Sequence, residues 1–277
     1  MEWATFWFGT KLNHLHEFSL MSFVTKVPKV VLYSFDKAIS VPPEVEVRDA
    51  SDIYPVDLVF ENPRQKGSFA GFSNIFRYEL MRQTHSTWFD LDVICWNWNE
   101  DGQDYLFGYE SEQEIINGAV LRLPMGCSLA TELSQRSQRV PPKKVRWGDL
   151  GPKLLTKVIS SHGLRNQAQL KNAFYHLSPA EIWRFFDPAS SDELKRELDY
   201  SKSVHLWNEV LRFAAPELKA KRPAEGSLAG ELYSGLNVSQ LEPLPGSWAR
   251  TVLRKRLENH NSFSSRLSRR LRSTTRR

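Results

Sequence analysis

The chain has 277 residues, 41% of them hydrophobic, with nine Trp and sixteen Phe. That is enough apolar bulk for one large domain, or a domain with a tail, and it excludes a disordered or fibrous protein. Net charge is +5 but uneven: from Arg250 to Arg277 ten Lys or Arg face the single acid Glu258, so the rest of the chain is slightly acidic.

Two cysteines, Cys95 and Cys127, occur without a CxxC or a Cys/His cluster, and read as reduced core thiols, not a disulfide or zinc site. Met1-Glu2-Trp3 lacks the basic start of a signal peptide. No run approaches the roughly 20 apolar residues that span a bilayer. The expectation is a cytoplasmic protein, soluble or peripheral on the inner face of the membrane.

Ala4 to Phe8 reads as a first strand, closed by Gly9, and Asn13 to Phe23 as a helix with Leu15, Phe18, Leu20 and Met21 inward. Lys29 to Phe35, β-branched and aromatic, reads as a second strand. This strand–helix–strand order favours a parallel α/β sheet. Ser73 is expected to cap a helix from Asn74 to Arg82, with Ile75, Phe76, Leu80 and Met81 inward. Thr87 to Cys95 then reads as an apolar strand punctured by Asp90 and Asp92. Gly118 to Leu121 reads as a strand, Gly151-Pro152 opens a helix through Ile159, and Ser203 to Trp207 is a late strand. Pro243, Pro245 and Gly246 mark a linker.

The acidic pair carries the chemistry. A buried carboxylate is costly unless it is paired or binds metal. Residues at i and i+2 of a strand share a face, so Asp90 and Asp92 could reach one cation. Oxygen ligands suit Mg²⁺ or Mn²⁺, which also take phosphate oxygens from a substrate. An acid-x-acid triplet also arises by chance in a solvated turn, and the residues alone leave both readings open. His14 and His16, two apart on a helix, do not share a face and make a poor metal site. No GxSxG, P-loop or GxGxxG is present.

The run Phe72-Ser73-Asn74-Ile75-Phe76-Arg77-Tyr78, followed by Trp88-Phe89-Asp90-Leu91-Asp92-Val93, resembles the DXD region of glycosyltransferase family 32, related to α-1,4-galactosyltransferases. Trp7-Phe8-Gly9, Asn117-Gly118-Ala119, Gly151-Pro152-Lys153, Val204-His205-Leu206-Trp207 and Glu225-Gly226-Ser227 resemble further segments of its bacterial capsule and lipopolysaccharide-type members, in the same order. The resemblance implies a GT-A type fold: a Rossmann-like mixed sheet flanked by helices over residues 1–235, with a linker and basic tail over 236–277. It implies a retaining hexosyltransferase that uses a nucleotide-sugar donor, a divalent ion (Mn²⁺ or Mg²⁺), and a glycan or lipid-linked acceptor. Asp90, Asp92 and His205 would hold the metal. Trp7, Asn74, Arg77, Asp90 and His205 would contact the donor, and Asp92 and Arg77 would act in catalysis.

Two positions depart from the family pattern. Asn74 stands where the family has Asp, and His85-Ser86 where it has Gly-Gly. They keep a second reading open, a non-catalytic protein that binds nucleotide sugar. The tail offers a third. Val252, Leu253, Leu257, Phe263, Leu267 and Leu271 interleave with basic residues, as in an amphipathic helix on an anionic membrane surface. Nucleic acid is not expected as a partner, since no recognised module accompanies the basic run.

Overall fold

Short β-branched and aromatic runs build the sheet, and β1 and β7 are followed by segments that form helices. The computed structural model describes residues 1–63, 66–99, 102–146, 148–234 and 241–259. In chain order the main elements are β1 (Trp3–Trp7), α1 (His14–Val24), β2 (Val30–Ser34), β3 (Val45–Asp49), α2 (Ala70–Gln83), β4 (Thr87–Phe89) and β5 (Val93–Cys95). Then come β6 (Leu106–Tyr109), β7 (Ile116–Arg122), α3 (Ser128–Gln138), α4 (Pro152–Ser161), α5 (Lys171–Phe174), α6 (Ser191–Glu197), β8 (Ser203–His205), α7 (Asn208–Ala214) and α8 (Leu228–Tyr233).

Six strands form one sheet in the order β3-β2-β1-β4-β7-β6. The first four run parallel, while β7 is antiparallel to β4 and β6 antiparallel to β7. The order 3-2-1-4 is half of a doubly wound sheet, so the carboxyl ends of β1, β2 and β4 open on one side, where such sheets bind ligands. This is the α/β, GT-A-like mixed sheet expected. A separate pair joins β5 to β8, antiparallel, with Val93 opposite His205 and Cys95 opposite Ser203. Two serines of α1 fasten β5: Ser19 Oγ donates to the Val93 carbonyl at 2.6 Å, and Ser22 Oγ accepts from Cys95 N at 2.9 Å.

The core of this sheet packs Phe6, Tyr33, Phe72, Phe76 and Trp88 with Leu129, Leu133, Leu155 and Ile159 from α3 and α4. Phe6 and Phe76 stack at 4.4 Å. α1 begins as its sequence requires, with Asn13 Oδ1 accepting from Leu15 N and His16 N at 3.0 and 3.1 Å.

α2 differs from expectation. It starts at Ala70, not at Asn74, and Ser73 is not its cap. The cap comes from outside the helix: Asn62 Oδ1 accepts from Gly71 N at 3.1 Å. A Cβ at Gly71 would sit 2.5 Å from that oxygen, so the approach depends on glycine. Asn74 therefore lies a turn into the helix, and its Nδ2 donates to the Ala70 carbonyl at 2.7 Å.

Contacts divide the chain into two units. The first holds residues 1–176 and 201–205, and the second holds 177–200 and 206–277. In the second unit Trp248, Ala249, Leu253 and Leu257 are buried, and Arg222 exchanges backbone hydrogen bonds with Glu242 and Leu244. Within residues 241–259, expected as linker and tail, the apolar groups at 244, 248, 249, 253 and 257 are buried, at spacings that one face can bury. The boundary expected at 235 borders residues 235–240, and Phe263, Leu267 and Leu271 of the expected amphipathic tail lie beyond 259; both stretches are outside the described residues.

Candidate active site

The acidic pair does not lie on one strand. Thr87 to Cys95 breaks into β4 and β5, which belong to different sheets, with Asp90, Leu91 and Asp92 forming the turn between them. Val93 N donates to the Asp90 carbonyl at 3.0 Å and closes that turn, while Asp90 N donates to the Ala119 carbonyl of β7 at 2.8 Å. The turn, not the pleat, brings the two carboxylates close together. Antiparallel pairing of β8 on β5 sets His205 opposite Val93, the residue after Asp92. Asp90, Asp92 and His205 each present one ligand atom, and these atoms lie within 4.8 Å of one another. His205 Nε2 is 3.3 Å from Asp92 Oδ1.

Arg77 is drawn into the same site. Buried on α2, its Nη2 pairs with Asp90 Oδ1, which also accepts from Trp88 Nε1 at 2.7 Å. The guanidinium lies over the Trp88 ring at 5.0 Å, a cation–π contact. Gly118 makes room for it, since a Cβ there would stand 2.7 Å from Arg77 Nη1. The Nε of Arg77 is buried without a hydrogen-bond partner among the described residues.

Charge in the site is tightly balanced. Burial pushes the Asp90 carboxyl up, Arg77 opposes this, and the like charge of Asp92 adds to the rise. For His205, burial favours the neutral ring, but the charge and hydrogen bond of Asp92, with Asp90 and Glu110, outweigh it and raise the pKa. Two carboxylate oxygens and one imidazole nitrogen make a donor set that could hold a divalent ion.

Trp7 and Asn74 stand apart from this cluster. Trp7 closes β1 at its carboxyl end, where its Nε1 donates to the Lys11 carbonyl at 3.1 Å and its ring meets His16 at 4.2 Å. His16 in turn feels the charge of Asp92, although burial lowers its pKa to about 4 and keeps it neutral. Asn74 faces Gly151 at the start of α4, where a Cβ would be 3.2 Å from Asn74 Oδ1. Its hydrogen bond to Ala70 keeps the amide on its own helix.

Sequence reasoning did not single out Glu110, Asn117, Tyr175 or His16 as site residues. Asn117 Nδ2 donates to Glu110 Oε2 at 2.7 Å, and burial raises the Glu110 pKa against that bond and the charge of His205. Tyr175 meets His205 edge-on at 5.7 Å and donates to the Asn117 carbonyl at 3.2 Å. An acid closing the apolar run Leu106–Tyr109 was a readable signal for Glu110. Tyr175 carried none.

Residues 143–225 match the family model described as the alpha 1,4-glycosyltransferase conserved region. No curated protein matches the chain. Among solved structures it is similar to "PaToxG Glycosyltransferase", at 14% identity over 58% of this chain and 68% of that one, with a TM-score of 0.45. The matched segment includes His205 but not the acidic turn, which the fold brings to it. Through that segment, under a third of the chain, it is similar to the α-1,4-glycosyltransferases, the group that its motifs resemble.

Proposed function

We propose that this protein transfers a hexose from a nucleotide-sugar donor to a glycan or lipid-linked acceptor, with retention at the anomeric carbon, at a divalent metal held by Asp90, Asp92 and His205. The observation that carries the reading is the convergence of those three side chains, from the β4–β5 turn and from β8, at the carboxyl end of a parallel strand. The bound ion would neutralise negative charge on the donor diphosphate.

The protein's own groups have separable roles. Asp90 and Asp92 supply anionic ligands, and Asp90 is held in place by Arg77 and Trp88. Arg77 sets a fixed guanidinium charge beside the acidic pair. His205 supplies an imidazole nitrogen to the ion, and the ring must be neutral to do so. Trp7 lies at the open end of β1, where a base or sugar ring could stack. Asn74 can contribute to the donor site only by releasing its bond to Ala70.

The test is release of nucleotide diphosphate from a panel of nucleotide sugars in the presence of Mn²⁺. Asp92→Asn should lower turnover at least about 100-fold, as loss of a transition-state electrostatic contact does. Absence of release with every donor, or an unaffected Asp92→Asn, would sink the reading. Donor binding by calorimetry without transfer would instead favour the non-catalytic alternative that Asn74 and His85-Ser86 keep open. No observation favours the tail-driven membrane adaptor. Leu253 and Leu257, two of its expected apolar residues, are buried within their own unit. No helix among the described residues is long and apolar enough to cross a membrane.

A further inference from the structure

His16 lies in the first turn of α1, is 4% exposed, and is not among the three residues of the metal cluster. Its place follows from the way α1 is fastened to β5. Ser22 meets Cys95 N and Ser19 meets the Val93 carbonyl, so helix and strand advance in the same direction. One turn back along α1 from Ser19 is His16, on the same side of the helix. One residue back along the chain from Val93 is Asp92. The charge of Asp92 accordingly reaches His16.

The imidazole also meets the indole of Trp7, with ring centres 4.2 Å apart, and Trp7 is itself fixed by the bond from its Nε1 to the Lys11 carbonyl. His16 therefore links the carboxyl end of β1 to the acidic turn. One of its neighbours is an aromatic ring and another is a carboxylate of the metal cluster.

The ring is held in one tautomer. His16 closes a capping box with Asn13: Asn13 Oδ1 accepts from His16 N at 3.1 Å, and Asn13 N donates to His16 Nδ1 at 3.4 Å. A neutral imidazole that accepts at Nδ1 carries its proton on Nε2, and burial keeps this ring neutral. Nε2 is then a donor, and it has no hydrogen-bond partner among the described residues. An uncharged donor of this kind suits a hydroxyl oxygen.

We infer that His16 recognises the ribose of the nucleotide-sugar donor, with its Nε2–H donating to the 2′- or 3′-hydroxyl oxygen. The inference rests on the transferase reading above. In a nucleoside diphosphate the ribose joins the base to the phosphates. In this chain His16 joins Trp7, where the base would stack, to Asp92, where the metal would hold the diphosphate. His16 is thus a binding residue that selects the sugar of the nucleotide, separate from the groups that hold the ion.

The experiment is calorimetry of the full chain, first with Mn²⁺ alone and then, at saturating Mn²⁺, with UDP, GDP, CDP and ADP. The nucleotide that binds best is compared with its 2′-deoxy and 3′-deoxy forms. The native chain should bind one deoxy form roughly three- to tenfold more weakly than the ribo form, the worth of one neutral hydrogen bond. His16→Leu should weaken the ribo form by a similar factor, bind ribo and deoxy forms alike, and keep the native Kd for Mn²⁺. A native chain that binds the ribo and both deoxy forms equally overturns the inference alone, whether or not the variant folds. So does a His16→Leu protein that keeps the ribose preference, or that loses affinity for Mn²⁺ and nucleotide to the same degree. A native chain that binds no nucleoside diphosphate overturns the transferase reading, and the role of His16 with it.

Discussion

Asp90 is the most constrained residue of the site: it takes hydrogen bonds from Arg77 and Trp88 through one oxygen and sits beside the charge of Asp92. Removing its cation leaves a partly buried carboxylate short of a partner. Arg77→Ala is expected to cost about 3 kcal/mol, read by chemical denaturation. Arg77→Lys keeps the charge but loses the flat stack on Trp88 and the fork geometry, so it should retain more stability than activity. Asp92→Asn makes a complementary prediction. Without metal it should leave the melting temperature nearly unchanged, because it removes a like charge next to Asp90 along with the His205 contact. It should abolish the stabilisation by Mn²⁺, which for the native chain amounts to about 2.7 kcal/mol at a hundredfold excess over Kd. An Asp92→Asn protein still stabilised by Mn²⁺ would remove this residue from the ligand set.

At the scale of elements, α2 is the hub, since it carries Arg77 toward β7 and Glu79 toward α3. Glu79 is buried and accepts from Arg82, Gln83 and Ser134. Burial alone would raise its pKa, but those hydrogen bonds and the charge of Arg82 win and lower it below 4.5. A carboxyl with a depressed folded pKa stabilises the fold fully above its unfolded pKa and loses that contribution as pH falls through the folded value. Glu79→Gln should therefore destabilise by about 1–3 kcal/mol at pH 7. The gap from the native protein should close as melts are repeated below pH 4.5, and a gap independent of pH would refute this account. Gly118→Ala tests the β7 side of the hub. Its Cβ would push Arg77 Nη1 away from Asp90 and press on Leu155, so donor turnover should fall more steeply than stability.

At the scale of the molecule, the chain leaves the first unit after residue 176, builds part of the second over 177–200, returns for 201–205 and ends in the second. The return delivers His205 to β5. The packed stretch after residue 241 has its own consequence: Trp248→Ala should cost about 3–5 kcal/mol and Leu257→Ala about 2–5 kcal/mol, as buried large-to-small changes do. Substitutions in a linker or a free tail would leave the melt unchanged.

Much of the first unit is legible from local pattern. β1, α1, β2, β7 and α4 follow from apolar periodicity, Asn13 from its capping chemistry, and Pro152 from its tolerance at a first helical turn. Local pattern also marks Asp90 and Asp92 as acids in apolar surroundings. It does not show that they lie on a turn, because strand continuity depends on which sheet each half joins. It places the start of α2 four residues late, because the capping oxygen belongs to Asn62 in a distant loop. β3, β6 and α3 are likewise unread, being short or mixed in polarity and defined by their neighbours. The residue types of the site and their order along the chain were determined by the sequence alone. The meeting of Asp92 with His205, and of Arg77 with Asp90, was decided by tertiary structure, since strand pairing and a gap left by Gly118 close distances that no local spacing encodes.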